Sequence, residues 1–362
     1  MRLLNFIGSA NFATQTNYMK TLFSLLASVL IAGQAFAQTP LAQAKPSGSE
    51  TWGYINPKGE FALKAEYTDC HAFSADGFAP IYDKKAKTFY FIKPNGEKLN
   101  SEVASFKLRN IFGFGTKGFE NGLATVQVGK TWGYMNTDGK LIIAAKYEDA
   151  NDFNGGFATV KSGGKWYVID KSGTETLISG ATDAKSFSEG LTPIRIGDLF
   201  GFADSKGAIV IEAKFKSVGY FSSGLAWAKT EAGQVGFIDK KGAWAIDAKY
   251  ENAKEFSDGL ARVKSGTWTF IDAKGNQISA PSADSFGDFS DGLAYAKSAE
   301  KVGFINKEGK MVIDQQFEKV RDFKNGYAAV LQGGKWGYIN TSGKMVIEPQ
   351  FDSVKDFEKT AK

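Results

Sequence analysis

The chain repeats one short pattern nine times. Each copy opens with Trp or a substitute and carries Gly seven residues later. Successive copies are 33 to 37 residues apart, except for one gap of 43 residues. A unit this short buries its apolar face only against a neighbouring copy, so the repeat predicts a stacked array with one continuous core. The nine anchor residues are Trp52, Phe89, Trp132, Trp166, Phe200, Val235, Trp268, Val302 and Trp336.

The local pattern within each copy is typical of β-strands. Runs such as "WGYIN", "KMVIE" and "YAAVL" are rich in β-branched and aromatic residues. The turns between them contain Gly, which readily adopts a positive φ. A block of the form F-x-x-G-L-A-x-V follows in the first eight copies. The sequence predicts an all-β tandem repeat of about nine three-stranded antiparallel meanders, joined by segments such as "YEDANDF".

Two arrangements of these units are open to the sequence. An open solenoid or superhelix suits 34-residue copies, which are short for the four-stranded blades of a typical propeller. A closed β-propeller is the alternative. The first copy has no recognisable strand before it and the ninth ends before making one, so we expect that neither terminus completes a unit. This favours the open superhelix.

The residue after the anchor varies together with the residue fifteen positions after it. Six copies have Gly after the anchor, and the same six have an aromatic residue at position fifteen. The other three copies replace the Gly and have Ala there. The exchange of large and small residues predicts a packing contact in which the Gly makes room for the ring. The Trp-Gly pair is therefore interpreted as structural.

The pattern K/T-W-G-Y-I-N/D-x-x-G-K, followed by F-x-x-G-L-A-x-V, resembles the WG repeat family, also called KWG repeats. The resemblance covers residues 51–357, with units beginning near 51, 88, 131, 165, 199, 234, 267, 301 and 335. It implies a bacterial, often exported protein without family catalytic residues. The structural repeat anchors that carry it include Trp52, Gly53, Gly59, Trp132, Gly133, Gly139, Trp166, Gly173, Trp268, Gly275, Trp336, Gly337 and Gly343.

The N-terminal segment has the pattern of a secretory signal peptide. Lys20 precedes an apolar run over 22–32, and Ala35-Phe36-Ala37 is a small-x-small cleavage site. We expect cleavage after Ala37, a mature start at Gln38 and export to the periplasm or the exterior. Residues 1–18 are interpreted as a mis-assigned start or an extended leader, 38–50 as a disordered linker and 358–362 as a tail. No later segment is apolar enough to span a membrane.

Composition excludes several function classes. The 44 basic and 39 acidic residues nearly balance and form no basic block, so nucleic acid is not an expected partner. The only Cys, Cys70, adjoins the only His, His71, and neighbouring strand residues point to opposite faces. We expect no catalytic residues, metal site or cofactor. Acids such as Asp258, Asp288 and Asp291 recur near repeat turns and are interpreted as turn and solubility residues.

One segment departs from the repeat. Residues 101–118 account for the 43-residue gap and mix aromatic with basic side chains. Either they pad or cap the array, or they form a binding loop, because loops on rigid scaffolds often carry function. The candidate binding residues are Phe106, Lys107, Arg109, Phe112, Phe114 and Lys117.

The resulting hypothesis is an exported, monomeric, non-enzymatic repeat protein that presents a long surface to another protein. A module that binds a cell-envelope glycan on exposed aromatic rings is the alternative. A propeller-type hydrolase with converging acids is the third possibility.

Overall fold

The computed structural model describes residues 39–111 and 115–360, and every regular element in these ranges is a β-strand. The strands form nine antiparallel sheets, one for each anchor, plus a small additional hairpin. We number these units 1 to 9 in the order of their anchors. The all-β class and the tandem array of antiparallel meanders are confirmed.

The second and third strands form the central hairpin of each unit. The second strand carries the L-A-x-V sequence, and the third carries the anchor. The second strands are Ala42–Lys45, Ala79–Asp83, Leu123–Val128, Phe157–Ser162, Leu191–Ile196, Ala226–Lys229, Leu260–Ser265, Leu293–Ser298 and Tyr327–Gln332. The third strands are Trp52–Ile55, Thr88–Ile92, Thr131–Asn136, Lys165–Asp170, Leu199–Asp204, Val235–Ile238, Thr267–Asp272, Lys301–Asn306 and Lys335–Asn340.

The fourth strand is the edge strand on the far side of the anchor. It is seven residues long in six units and shorter in units 4 and 7, and in unit 2 it is reduced to a bridge between Ile92 and Lys98. The fourth strands are Phe61–Tyr67, Leu141–Tyr147, Glu175–Leu177, Ile209–Phe215, Trp244–Tyr250, Gln277–Ile278, Met311–Phe317 and Met345–Phe351.

Each unit also has a two-residue first strand, which the sequence analysis interpreted as a link. The segment after one fourth strand pairs with the second strand of the next unit, as Asp149 does with Lys161. The meanders are therefore four-stranded, because two residues suffice to pair where no alternating pattern is visible. These strands are Lys107–Leu108, Asp149–Ala150, Asp183–Ala184, Ser217–Val218, Asn252–Ala253, Ser285–Phe286, Lys319–Val320 and Ser353–Val354, with a bridge between Cys70 and Ile81 in unit 2.

Aromatic pairs join each sheet to the next. The residue two after the anchor is buried and meets the Phe of the next F-x-x-G block. Tyr134 and Phe153, for example, have ring centroids 4.8 Å apart with an interplanar angle of 72°. Such pairs add roughly 0.5–1.5 kcal/mol each beyond their buried area. Unit 4 has Val168 at this position, and there Phe187 of the next block pairs instead with Phe157 of the second strand, at 6.1 Å between ring centroids.

The two ends of the array meet in unit 1. Its second strand, Ala42–Lys45, pairs on one side with Trp52–Ile55 and on the other with Ser353–Val354. Leu41 and Glu358 exchange backbone hydrogen bonds of 3.0 and 2.9 Å. The expectation that neither terminus completes a unit is wrong, as is the interpretation of residues 38–50 as a disordered linker. "LAQA" at 41–44 is the L-A-x-V strand of unit 1, and its terminal position concealed it.

The packing between units 9 and 1 matches the packing within the array. A Cβ on Gly59 of unit 1 would lie 3.1 Å from Ile347 of unit 9, as a Cβ on Gly343 would lie 3.1 Å from Ile313 of unit 8. Tyr338 of unit 9 also pairs with Phe357, at 4.7 Å between ring centroids. These contacts belong to the closed alternative, a ring of nine sheets arranged as in a β-propeller.

The Trp-Gly pair lies at a bulge. In unit 3, Trp132 pairs with Tyr147 and Tyr134 pairs with Ile143, so the fourth strand has two extra residues there. A Cβ on Gly133 would lie 2.6 Å from the carbonyl oxygen of Ile143. The Gly therefore makes room for the bulged backbone, and the aromatic residue at position fifteen pairs with the anchor. In unit 4, which has Tyr167 instead, the short fourth strand pairs without a bulge.

Candidate interaction surface

The two positions before the Phe of each F-x-x-G block extend the first strand. The backbone N–H of the first position donates to a carbonyl of the second strand, as from Asn151 to Thr159 at 2.9 Å and from Lys185 to Pro193 at 3.0 Å. The flanking Ala150 and Phe153 point into the core. The side chains between them, Asn151 and Asp152, lie at the edge of the sheet, where Arg109 and Lys117 of unit 3 contact them. These positions differ from unit to unit, whereas the core positions around them repeat.

We call the polar side chains at these positions the inner polar ring. Gly occurs at the first position in units 6 and 8, where Trp227 and Tyr295 of the adjacent strand fill the space. In unit 3 the insertion separates the first strand from its Phe, so we include both Arg109, which follows the first strand, and Lys117, which precedes Phe119. The other members of the inner polar ring are His71, Asn151, Asp152, Lys185, Ser186, Tyr220, Lys254, Glu255, Asp288, Arg321, Asp322, Lys355 and Asp356.

The first-strand edges of neighbouring units contact each other, as where Asn151 of unit 4 donates to the Ala184 carbonyl of unit 5 at 3.1 Å and Arg109 of unit 3 donates to Asn151 at 2.7 Å. Burial raises the pKa of the Tyr220 hydroxyl in unit 6, and the positive charges of Lys117 and Arg109 in unit 3 lower it. The fourth-strand edges carry exposed aliphatic side chains such as Ile142 and Val312. The first strands therefore form the inner edge of the ring.

Acidic and basic side chains alternate in units 7 to 9 and unit 1. Arg321 donates to Asp356 through Nε at 2.5 Å and through Nη2 at 3.1 Å, a bidentate ion pair. Arg262 donates to Asp288 at 2.6 Å. Asp322 lies between these pairs. Its carboxylate is open to solvent on one side, but desolvation by the crowded ring edge and the charges of the neighbouring carboxylates raise its pKa to about 6.

The 101–118 segment contributes some residues to the core and others to the inner polar ring. Phe106 is 3% exposed and stacks on Phe91 at 5.6 Å, so it is a core residue. Lys107 is exposed on the first strand of unit 3. Phe112 and Phe114 lie outside the described residues. The insertion itself begins with the paired strands Asn110–Ile111 and Gly115–Thr116.

The structure brings Arg109 and Lys117 to the same part of the inner polar ring. Arg109 pairs with Asp149, donates to Asn151 at 2.7 Å and lies 5.6 Å from the Trp132 ring centre. Lys117 lies 3.3 Å from Glu120 and 3.8 Å from Asp152. Desolvation alone would lower the pKa of Lys117, but the two carboxylates outweigh it and raise the pKa. Both cations are therefore held by acids of units 3 and 4.

Two of the acids predicted to be turn residues do join neighbouring units. Asp258 and Asp291 lie at φ 52° and 50°, and each accepts a hydrogen bond from a Gly N–H of the next unit at 2.6 Å. Asp288 belongs to the inner polar ring instead. Cys70 of unit 2 and Tyr54 of unit 1 are buried together in one core cluster, and burial raises the pKa of the Cys70 thiol to about 12.

Most of the inner polar ring was missed in the sequence analysis. Lys185, Lys254 and Arg321 look like ordinary solvated residues in one copy taken alone. A signal was present in the comparison of copies, because the two positions before a constant Phe change in charge and size. Ring closure, which brings these positions together, had no signal beyond the "LAQA" strand.

The sheets and their closure define a class of protein: a tandem β-repeat closed into a ring, with its variable residues on the inner edge. A family model described as WG containing repeat matches seven stretches that together span more than half of the chain, and the chain belongs to this family. The stretches are 52–84, 132–166, 200–232, 236–266, 268–301, 303–336 and 336–359. The residues between 84 and 132 and between 166 and 200 are not matched.

Solved structures resemble the chain in fold alone. A crystal structure of a eukaryotic initiation factor is 10% identical with a TM-score of 0.59, covering 88% of this chain and 97% of that one. The designed Ika8 protein is 12% identical with a TM-score of 0.42, covering 84% and 98%. BamB from Moraxella catarrhalis is 14% identical with a TM-score of 0.37, covering 67% and 88%. A comparison with curated proteins finds no match.

Within the described ranges, no helix is both long and apolar enough to cross a bilayer. In the same ranges, no three His, Cys, Asp or Glu side chains are placed to hold a metal ion.

Proposed function

We propose that the chain is an exported, non-enzymatic scaffold that binds another protein through its inner polar ring. The observation that carries this proposal is the contrast between constant and variable positions. The constant residues pack each sheet on its neighbours, so the fold accounts for them. The ring positions vary in charge and size, and the closed array gathers them at one edge. Because packing does not account for the residues on this surface, the surface is the best candidate for binding a partner.

The composition of the ring favours a polar protein partner. Lys185, Lys254 and Lys355 are exposed cations, and Asp322 is an exposed acid between two ion pairs. Charged groups of both signs in a fixed order favour a complementary pattern on the partner and specificity over raw affinity. Ion pairs such as Arg321–Asp356 hold part of this pattern in place before binding.

The glycan-binding alternative is less well supported. The large aromatic side chains that stand more than a third exposed in the described part are Phe61, Tyr220 and Trp244. Phe61 and Trp244 pack edge-on against Phe351 and Phe215 of the preceding units. They lie on separate fourth strands, and Tyr220 lies at the inner edge. These rings do not form the continuous stacking row that an extended glycan would require.

The hydrolase alternative is also less well supported. Asp288, Asp322 and Asp356 do converge from three units, which is the arrangement a hydrolase would need. However, Asp288 is engaged by Arg262, and Asp356 by Arg321. Both carboxylates are therefore already hydrogen-bonded to an arginine of a neighbouring unit, which leaves them less free to contact a substrate. Burial and the neighbouring carboxylates raise the pKa of Asp322 to about 6, but one such acid does not supply the pair of carboxyl groups that hydrolysis needs.

The test compares two charge-matched variants of residues 38–362 in pull-downs from an exported-fraction extract. The ring variant carries Lys185→Ala and Lys254→Ala. The control carries Lys206→Ala and Lys274→Ala at exposed hairpin turns. We expect a specific protein to bind the wild type and the control, and to be lost with the ring variant. Equal capture by both variants would place recognition elsewhere.

Parallel measurements test the remaining parts of the proposal. Retention of the protein on insoluble peptidoglycan would favour the glycan alternative. N-terminal sequencing of the protein recovered from the cell envelope or the medium should give Gln38 as the first residue. Recovery with residues 1–37 intact from the cytoplasm would overturn the proposed export.

A further inference from the structure

Four Asn-Gly dipeptides occur in the chain, and they differ in how the fold holds them. We propose that Asn154–Gly155, at the turn before the second strand of unit 4, is a site of spontaneous modification at which the Asn side chain loses its amide. The inference is independent of the proposed export and of the proposed partner. The four dipeptides are Asn95–Gly96, Asn121–Gly122, Asn154–Gly155 and Asn325–Gly326.

The reaction needs only the chain itself and water. The Gly155 nitrogen gives its proton to solvent and forms a bond to Cγ of Asn154, while the bond between Cγ and Nδ2 breaks. Nδ2 takes up a proton and leaves as ammonia, so that a cyclic imide remains. Water then opens the imide at either carbonyl carbon and leaves a carboxylate, in an aspartyl or an isoaspartyl link. Gly hinders this attack least because it has no Cβ.

In the other three dipeptides the Gly N–H is held by an acceptor. Gly122 donates to the Asp76 carboxylate at 3.0 Å, and Gly326 donates to the Asp291 carboxylate at 2.6 Å. Gly96 donates to a carbonyl of its own turn at 2.9 Å. Such a bond makes the proton harder to remove, and it fixes the orientation of the peptide group.

The Asn side chains of these three dipeptides are engaged as well. Nδ2 of Asn121 donates to the Phe153 carbonyl at 3.1 Å, and Nδ2 of Asn325 donates to the Phe357 carbonyl at 2.8 Å. Both bonds join one unit to the next, so these amides turn toward their own Gly only when a contact between units breaks. Oδ1 of Asn95 accepts from a backbone N–H of its own turn at 3.0 Å.

The turn of unit 4 leaves both reacting groups free. Among the residues that the structure describes, neither the Asn154 side chain nor the Gly155 N–H has a hydrogen-bond partner. Gly155 is exposed, and a Cβ placed on it would meet nothing within 4 Å. Gly155 and Gly156, at φ 61° and 89°, are the central residues of a two-residue hairpin turn. Two successive Gly residues let this backbone rotate at low cost, which the attack requires.

The modification would disturb a closed turn beside the inner polar ring. Asn154 and Phe157 exchange backbone hydrogen bonds of 2.9 and 3.2 Å. An isoaspartyl link carries the main chain through Cβ and so adds an atom inside this turn, and both products add a negative charge. Asn151 and Asp152 of the inner polar ring lie just before the turn. The reaction therefore alters the edge of unit 4.

The test follows all four dipeptides in the same protein. The purified chain is kept folded in mildly alkaline buffer, and samples are digested with trypsin and examined by liquid chromatography with tandem mass spectrometry. Loss of the amide appears as a gain in mass, and the aspartyl and isoaspartyl peptides elute separately. The same incubation in urea gives the four rates without the fold. Asp76→Ala and Asp291→Ala are matched variants, because each removes the acceptor of one protected Gly.

In the folded chain we expect Asn154 to react several-fold faster than the other three, whereas in urea the four rates should be comparable. Asp76→Ala should raise the rate at Asn121, and Asp291→Ala the rate at Asn325. Equal rates at all four dipeptides in the folded chain would overturn the proposal. So would an intact Asn154 after the time that converts it in urea.

Asn154→Gln is the negative control, because a longer side chain closes the imide ring far more slowly. The tryptic peptide 147–161 of this variant should show no gain in mass. A gain there would assign the reaction to Asn151 and would also overturn the proposal.

Discussion

Replacing Gly133 by Ala tests the physical explanation of the Trp-Gly repeat. The new Cβ would lie 2.6 Å from the Ile143 carbonyl oxygen and 2.7 Å from the Ala145 nitrogen. Ordinary contact begins near 3.4 Å, so the bulged backbone would have to move by about 0.8 Å. Overpacking of this kind costs about 1–3 kcal/mol, and the loss of chain entropy on replacing Gly offsets about 0.4–1 kcal/mol. We expect the variant to lose about 1–2 kcal/mol of unfolding free energy in urea titrations.

A double-mutant cycle with Tyr147→Ala separates two explanations of the Gly. If the Gly made room for the Tyr147 ring, removing the ring would restore most of the stability lost in Gly133→Ala. If the Gly makes room for the backbone, the two losses add. We expect additivity within about 0.5 kcal/mol. Rescue by Tyr147→Ala would refute the bulge explanation. Should the double variant not fold, Tyr147→Leu gives a milder version of the same cycle.

Thr269→Gly is the matched control. Thr269 occupies the position of Gly133 in unit 7, where the fourth strand is short and pairs in regular register. No bulged backbone crowds this site, so the space created by Gly brings no benefit. We expect a loss of about 1 kcal/mol or less, from the poorer strand propensity of Gly. A gain in stability would contradict the argument.

Three further predictions follow from the polar contacts. Removing the carboxylate in Asp258→Ala breaks the bond to Gly292 and should cost about 1 kcal/mol in urea, whereas Ser223→Ala, at the equivalent φ of 55°, should cost less than half as much. The folded chain holds the Asp322 proton more tightly than the unfolded chain, so this group contributes stability that is present below pH 3.8 and lost as the pH rises through about 6. The Asp322→Asn variant should therefore exceed the wild type in urea midpoint at pH 8 but not at pH 3.5, and equal midpoints at pH 8 would contradict this. Because its pKa is raised to about 12 by burial, Cys70 should not react with Ellman's reagent at pH 8 until denaturant is added, and rapid labelling of the native chain would oppose this.

The repeat could be recognised in the sequence because its constant residues are required by the local backbone conformation. Gly seven residues after the anchor adopts a positive φ in all nine units, as at Gly139 with φ 80°. The aromatic and apolar alternation placed the second, third and long fourth strands correctly. The two-residue first strands could not be predicted, because a segment as short as Asp149–Ala150 shows no alternating pattern and pairs through its backbone alone.

The coupling between Gly133 and Tyr147 was found in the sequence, but its cause was not. Sequence covariation indicates that two positions depend on each other and does not say through which atoms. Here both depend on the long bulged fourth strand. That strand brings the Ile143 carbonyl oxygen against the Gly and the aromatic ring opposite the anchor. Where the fourth strand is short and has no bulge, as in unit 4, neither the Gly nor the aromatic residue is required, and both are replaced.

Ring closure changes what the repeat implies about function. In an open array the variable residues before each Phe would lie along a line. A partner would then need an equally long surface to contact all of them. In the closed ring, these residues contact those of the neighbouring units, as Arg109 contacts Asn151 and Arg321 contacts Asp356, and Asp322 lies between the ion pairs of its neighbours. The nine differing pairs of residues therefore form one compact surface. Two short segments at opposite ends of the chain, Ala42–Lys45 and Ser353–Val354, create that surface by pairing with each other.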